Sequence, residues 1–319
     1  MNVLEVVEKT GILPVINITD IDTAIPLAKA ILKGGIEAIE ITLRSDVSIA
    51  AIKAIKQSVP EMKMMAGTIL TVEQAKTALE AGVEGLVMPG YDEEIIDFAI
   101  ENNVPIVPGC ITAADIQKGI RKGLKLFKFF PAENSGGLAA IKLLSGPFKG
   151  VKFLPTGGMD YSNIGTYLKE DFIAACGGSY MANAKMLAAK DFDTITANCK
   201  KAVDISLGLE LAHIGINHES EEAAVNTAET ISDIFRMNAR YMNSAVFAGT
   251  AAEAVKSQGY GTKGHIGFYT NSVKRAMAYF EDKGIALNEE SIKRNKAGEI
   301  TCIYLKDEIA GFAFHIVAR

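Results

Sequence analysis

Lys128 stands in the stretch Leu126-Phe127-Lys128-Phe129-Phe130-Pro131. The stretch is short, aromatic-rich and closed by a proline, which is the composition of a strand. A cation inside such a run conflicts with its surroundings, and conflicts of this kind concentrate at functional sites. An apolar setting disfavours a lysine's charged form. An uncharged amine can attack a carbonyl and form a Schiff base. The other reading is a strand-end lysine whose stem runs along apolar surface to water. This segment alone leaves both open.

A second group lies in Glu40-Ile41-Thr42-Leu43-Arg44. Residues two apart in a strand share a face, so Glu40, Thr42 and Arg44 are expected to point one way. An inward carboxylate and guanidinium are costly unless paired or used. A Glu40–Arg44 ion pair is the purely structural alternative. Two glycine-rich stretches follow, Pro155-Thr156-Gly157-Gly158 and Cys176-Gly177-Gly178-Ser179. Backbone N–H groups freed by glycines beside helix N-termini bind phosphate. One Gly-Gly is usually a turn; two at successive strand ends make a stronger signal.

These residues need elements to position them. From Gly11 to about Ser206, strand and helix patterns alternate. Strands are predicted over 12–17, 38–44, 63–70, 85–89, 105–112, 126–132, 152–158 and 173–179. Amphipathic stretches such as 22–33, 47–58, 72–81 and 93–102 separate them. Such alternation argues for a parallel sheet covered by helices. Eight strand–helix units in about 200 residues fit a (β/α)8 TIM barrel, whose phosphate sites often follow strands seven and eight. The alternative is an open doubly wound sheet, but no GxGxxG follows the first strand.

After Ser206 the pattern changes to a weak internal repeat. Ala212-His213-Ile214-Gly215-Ile216 returns as Gly264-His265-Ile266-Gly267-Phe268. Each copy precedes a helical pattern, over 219–235 and 272–283. Strand-like pieces follow each, over 244–248 and 251–255, then 299–305 and 311–317. The expectation is a smaller α+β domain of two paired βαββ-like modules, spanning 207–319 after a barrel of 1–206.

The chain of 319 residues is long enough to bury a sizeable core. Its net charge of -5 gives no basic footprint for nucleic acid. No apolar run is long enough to span a bilayer, and the first residues lack a signal-peptide pattern. Cys110, Cys176, Cys199 and Cys302 are scattered without CxxC spacing, which suggests neither a zinc knot nor a disulfide framework. A reducing cytoplasm is the expected compartment.

Over the first 200 or so residues the chain resembles the 2-keto-3-deoxy-6-phosphogluconate aldolase / 4-hydroxy-2-oxoglutarate aldolase family. The strings that carry the resemblance are Glu40-Ile41-Thr42-Leu43-Arg44, Ala66-Gly67-Thr68, Pro89-Gly90, Phe127-Lys128-Phe129-Phe130-Pro131-Ala132, Pro155-Thr156-Gly157-Gly158 and Gly177-Gly178-Ser179. The resemblance implies a class I aldolase that needs no metal, acts on a small 2-keto acid and is usually a homotrimer. It makes Lys128 the Schiff-base lysine and Glu40 the general acid/base working through a water. Arg44 and Thr68 would hold the pyruvyl carboxylate, and Pro89 and Phe130 would wall the pyruvate pocket. Gly157, Gly158, Gly178 and Ser179 would form the phosphate turns. Tyr180 follows Ser179 where many relatives carry tryptophan.

The C-terminal modules resemble the vicinal-oxygen-chelate superfamily, which includes glyoxalase I and bleomycin-resistance proteins. The closing segment Ile309-Ala310-Gly311-Phe312-Ala313-Phe314-His315-Ile316-Val317 is similar to that superfamily's last strand. The resemblance implies metal ligands at His213, Glu253, His265 and His315, with His315 standing where a second glutamate is usual. Three histidines and a carboxylate suit a divalent transition metal; histidines satisfied inside a core are the other reading. Three functions are therefore in play. The leading one is a pyruvate-forming aldolase with an accessory domain. The others are a non-catalytic sugar-acid sensor and a metal-dependent lyase or dioxygenase centred on the C-terminal domain.

Overall fold

The structure is a computed structural model describing residues 1–319. The chain divides into two compact units, Met1–Ser206 and Leu207–Arg319.

In the first unit nine strand segments run β1 Ile12–Ile16, β2 Ala38–Thr42, β3 Lys63–Gly67, β4 Gly85–Val87, β5 Ile106–Val107, β6 Gly109–Cys110, β7 Leu126–Phe129, β8 Lys152–Pro155 and β9 Cys176–Gly178. Every pairing among them is parallel. Six lie in the order β5-β4-β3-β2-β1-β9, and three in the order β6-β7-β8. The single strand expected over 105–112 is split by Pro108, which has no N–H to give a ladder. Bridges Phe153↔Ile173 and Thr156↔Gly177 join the two sheets on the other side. The result is a curled, barrel-like sheet of eight strand paths.

Helices follow the strands for local reasons. Thr71, Asp92 and Thr112 cap helices Val72–Ala81, Glu93–Glu101 and Ala113–Arg121, each accepting a bond from the third residue beyond it. Gly82 ends the first of these at φ 106°, a conformation open mainly to glycine. The helices' apolar faces form the outer core with residues such as Ile31, Ile52, Ile95 and Ile116.

Inside the barrel lies a separate apolar cluster. Leu13, Ala38, Met65, Val87, Val107, Leu154 and Ala175 meet there, with Leu126 packed against them. Each comes from a different strand path. Val3, Val6 and Val7 of helix Val3–Thr10 join the cluster and plug that end. Two residues further along each path the period of two brings up Val15, Glu40, Gly67, Pro89, Gly109, Lys128, Thr156 and Gly177. An apolar floor thus carries a layer that holds the polar groups and three glycines.

The second unit has one eight-stranded sheet. Its strands are β10 Glu210–Asn217, β11 Ala239–Tyr241, β12 Ala245–Ala248, β13 Ala252–Val255, β14 His265–Thr270, β15 Leu287–Arg294, β16 Ile300–Leu305 and β17 Ala313–Ala318. Their order is β11-β12-β13-β10-β14-β17-β16-β15. Helix Glu221–Phe235 follows β10, and helix Val273–Asp282 follows β14. Each half therefore carries three strands after its helix, not the two expected. The missed ones, β11 and β15, are the sheet's edges. Their sequences, Ala-Arg-Tyr and Leu-Asn-Glu-Glu-Ser-Ile-Lys-Arg, are largely exposed and lack apolar alternation. β10 and β14 pair antiparallel at the centre, with His213 opposite Gly267 and Gly215 opposite His265.

Candidate active site and histidine cluster

Glu40 sits on β2 with no exposed surface, and Lys128 on β7 is 6% exposed. Lys128 Nζ donates to Glu40 Oε1 at 3.0 Å and Oε2 at 3.3 Å. The ammonium also lies 5.6 Å from the Phe130 ring centroid. A buried ion pair contributes little net stability, because desolvation offsets most of its attraction. Stability alone therefore does not account for the pair.

Gly67 makes the pair possible. A Cβ at that position would stand 2.0 Å from Glu40 Oε1. On the far side, Gly177 leaves room for Thr156, whose Oγ1 would be 2.5 Å from an added Cβ. Thr156 is 6% exposed, and its hydroxyl has no hydrogen-bond partner. Buried polar groups are normally bonded. The hydroxyl, on the layer that holds Lys128, is thus not engaged by the protein's own groups.

Arg44 does not pair with Glu40. It lies beyond the end of β2 and is exposed. Thr42, which does follow the strand's period, is buried and donates to the Ile16 carbonyl at 3.2 Å. In place of the alternative Glu40–Arg44 ion pair stand two other contacts, Glu40 with Lys128 and Arg44 Nε with Thr68 Oγ1 at 3.0 Å. Thr68 has φ 61°, a left-handed conformation that strains a β-branched residue. Such strain collects at sites where backbone position matters more than backbone comfort. Pro89 lies beside the tight contact at Gly109, where an added Cβ would stand 2.2 Å from the Pro89 carbonyl oxygen.

The glycine turns lie where the sequence put them, at the ends of β8 and β9. Gly157 and Gly158 have φ of 95° and 82°. Their carbonyls are held by Glu133 N–H at 3.1 Å and Asn163 Nδ2 at 2.9 Å respectively. Gly178 closes β9, and Ser179 beyond it is exposed. One expectation fails. The helices that follow start several residues later and are short, Ile164–Tyr167 and Ala184–Ala188, so neither turn opens directly into a helix N-terminus. Tyr180 packs its ring under Gly178, where an added Cβ would stand 2.7 Å away, and meets Tyr161 edge-on at 5.1 Å.

In the second unit His213, Glu253, His265 and His315 come together. Nε2 of His213 lies 3.2 Å from Nε2 of both His265 and His315. Glu253 Oε2 is 3.1 Å from Nε2 of His213 and of His265. The glycines of the repeat seat the rings. A Cβ at Gly215 would stand 2.0 Å from His265, and one at Gly267 would stand 2.5 Å from His315 Nε2 and 2.7 Å from His213. Each copy's glycine thus makes room for the other copy's histidine, which is why His-Ile-Gly recurs as a unit. Burial works to raise the Glu253 carboxyl, but hydrogen bonds from His213 and His265 outweigh it and hold it at about 2. Burial, with the two neighbouring histidines, pushes His315 down to about 3 and keeps it neutral. The fourth histidine, His218, stands apart, with Nε2 2.9 Å from Thr227 Oγ1.

Neither Gly67 nor Thr156 stood out as a site residue in the sequence. Gly67 was visible only inside the string Ala66-Gly67-Thr68. Nothing in composition or period says that the Thr156 hydroxyl will lack a partner.

A barrel-like parallel sheet with a buried lysine and carboxylate near its mouth is the arrangement of a class I aldolase, a carbon–carbon lyase. Residues 3–198 match the sequence model of the KDPG and KHG aldolase family, and the chain belongs to that family. The 2-dehydro-3-deoxy-phosphogluconate aldolase of Treponema pallidum is 38% identical over 205 residues, 64% of this chain and 98% of that protein. The KHG/KDPG aldolase of Escherichia coli K12 is 39% identical over 193 residues, 60% of this chain and 91% of that protein. Among solved structures, the KDPG aldolase of Legionella pneumophila with pyruvate captured as a covalent carbinolamine aligns with a TM-score of 0.62 and 32% identity. That match covers 63% of this chain and 98% of the other. The aldolase of Zymomonas mobilis ATCC 29191 gives 0.61 and 37%, covering 64% and 98%. The protein is a Schiff-base aldolase. The second unit lies beyond the family match.

Proposed function

We propose that the barrel cleaves 2-keto-3-deoxy-6-phosphogluconate to pyruvate and glyceraldehyde 3-phosphate, 4-hydroxy-2-oxoglutarate to pyruvate and glyoxylate, or both. The observation that carries this is the buried Lys128–Glu40 contact on a layer cleared by glycines. Glu40 is placed to take the ammonium proton, which frees the Lys128 lone pair for the C2 carbonyl. Glu40 returns that proton to the carbinolamine hydroxyl, which leaves as water and gives a protonated imine. Glu40, through a water, then accepts the C4 hydroxyl proton. The C3–C4 bond breaks, its electron pair enters the imine to give an enamine, and the aldehyde departs. Protonation at C3 and hydrolysis release pyruvate and restore the lysine.

Arg44 and Thr68 take the pyruvyl carboxylate, for which a guanidinium offers two parallel donors. Pro89 and Phe130 flank the methyl end. Thr156 Oγ1 is available to a substrate hydroxyl. With the Gly157 and Gly158 carbonyls engaged, the amides of that turn, with Gly178 and Ser179, are left for a distal phosphate. Family resemblance supports a homotrimer in the cytoplasm. Lys128→Ala should abolish cleavage while Lys125→Ala and Lys152→Ala keep it. A cleaving Lys128 variant would reject the assignment, and a wild type inert towards both substrates would favour a sugar-acid sensor.

The second unit supports a further reading as an accessory domain of the vicinal-oxygen-chelate type, with two related modules facing across β10 and β14. Its four ligand atoms suit a divalent transition metal. Nitrogen ligands of a tetrahedral zinc stand about 2.0–2.1 Å from the ion and hence about 3.3 Å from one another. Four of the six spacings in the cluster, at 3.1 and 3.2 Å, are close to that, and the three histidine ligand atoms all lie within 4.8 Å of one another. Such an ion would supply a Lewis-acid centre; the aldolase step uses the imine and does not call on it. Metal-dependent melting tests this reading, and unchanged melting with zinc, manganese and nickel would leave the histidines as core residues.

A further inference from the structure

We infer that Cys302 is a positioning residue for the metal that the histidine cluster binds, acting on His315 from outside the ligand set. The inference rests on the metal reading above. Cys302 lies on β16 and His315 on β17, 6% and 5% exposed. Cys302 Sγ is 3.3 Å from His315 Nδ1, while Nε2 of the same ring faces His213 at 3.2 Å.

The chemistry of a neutral imidazole fixes what that contact does. The ring carries one proton and one free lone pair on nitrogen. If Nε2 gives its lone pair to a metal, the proton must sit on Nδ1. Nδ1–H then donates to Cys302 Sγ. Metal-bound histidines usually donate this way to a carboxylate or carbonyl, which fixes tautomer and ring orientation. Here a thiol stands in that place. Tyr304, opposite His315 in the β16–β17 ladder, stacks on the ring with centroids 4.6 Å apart and planes at 26°. The face of the ring is held by Tyr304 and its edge by Cys302, so Nε2 has one direction in which to point. Cys302 also packs with Tyr304 and Ala313, and packing alone is the rival explanation.

Substitution of the acceptor separates the two. Co²⁺ alone is titrated into the full metal-stripped chain, with its visible absorption reporting ligand number and affinity. Wild type should bind with a tetrahedral spectrum. Cys302→Ala and Cys302→Val, the second of which keeps the space filled, should both weaken binding by about 10- to 100-fold. Cys302→Ser, whose hydroxyl still accepts, should recover affinity to within a few-fold of wild type. Pyruvate release by the barrel should be the same in all. Wild-type affinity in Cys302→Val, or equal losses in Ser and Val, would overturn the positioning role and leave the metal site standing. No binding by wild type would remove the metal reading itself, and the inference with it.

Discussion

The barrel mouth and the histidine cup use the same packing device for different chemistry. In each, a glycine on the neighbouring strand occupies the place where a Cβ would strike a functional side chain. Gly67 lies under Glu40, Gly215 under His265, and Gly267 under His213 and His315. The difference is in what is gathered. The barrel buries one cation against one anion, with an orphan hydroxyl on the same layer. The cup gathers three imidazoles, two of them against one carboxylate, with no lysine or arginine among them. In the roles proposed for them, the first set moves protons and makes a covalent bond to carbon, and the second offers lone pairs to a metal. Seating a side chain on a glycine is thus a general solution to crowding, and the seated groups decide the chemistry.

The comparison is broken most severely at Lys128. Lys128→Ala should leave no measurable cleavage yet keep Co²⁺ binding by the second unit; loss of both would mean that the two sites are not separable. Glu40→Gln should come next, lowering kcat on the order of 10²–10⁴-fold while imine formation with pyruvate survives. Near-normal turnover would require another base.

Swapping the seats sharpens the comparison. Gly67→Ala places a methyl against the Glu40 carboxylate and should cut kcat strongly with Co²⁺ affinity unchanged. Gly215→Ala should do the reverse. A uniform effect of either on both readouts would mean that the glycines serve folding alone. Ser179→Asp should cripple use of the phosphorylated substrate and spare 4-hydroxy-2-oxoglutarate, by like-charge repulsion at the turn. Equal losses on the two substrates would count against a phosphate role.

The smallest effect is expected from pH on the metal-free second unit. His315 sits at about 3 in the fold against an ordinary 6.5, and Glu253 at about 2 against 4.5. The unfolded chain therefore takes up protons that the fold resists. Stability contributed by His315 is present above about 6.5 and falls as pH drops towards 3; that from Glu253 falls from about 4.5 towards 2. Melting of residues 207–319, followed by hydrogen exchange, should decline over that range. A flat profile from pH 7 to 4 would contradict the clustered geometry.

How far the sequence foretold this differs between the two regions. Alternating strand and helix patterns read directly as a barrel because buried parallel strands are continuous apolar runs. The break at Pro108 was written in the residue itself but hidden by the apolar stretch around it. β11 and β15 were missed because edge strands face water and carry no alternation. Lys128 and Glu40 could be named because each is a charge in an apolar strand. That they meet could not, since 88 residues separate them and only closure of the sheet brings them to 3.0 Å. The partner of Arg44, Thr68, was not legible either, since 24 residues separate them and only the pairing of β2 with β3 brings them to 3.0 Å. In the cup the repeat itself carried the information, because antiparallel pairing of two His-x-Gly copies places each histidine opposite the other's glycine.

The central claim is that Lys128 forms the imine. Full-length protein incubated with pyruvate and reduced with borohydride should gain the mass of one reduced pyruvyl adduct, on the peptide containing Lys128. The Lys128→Ala protein should gain none. An adduct on another lysine, or labelling that persists in the variant, would contradict the account.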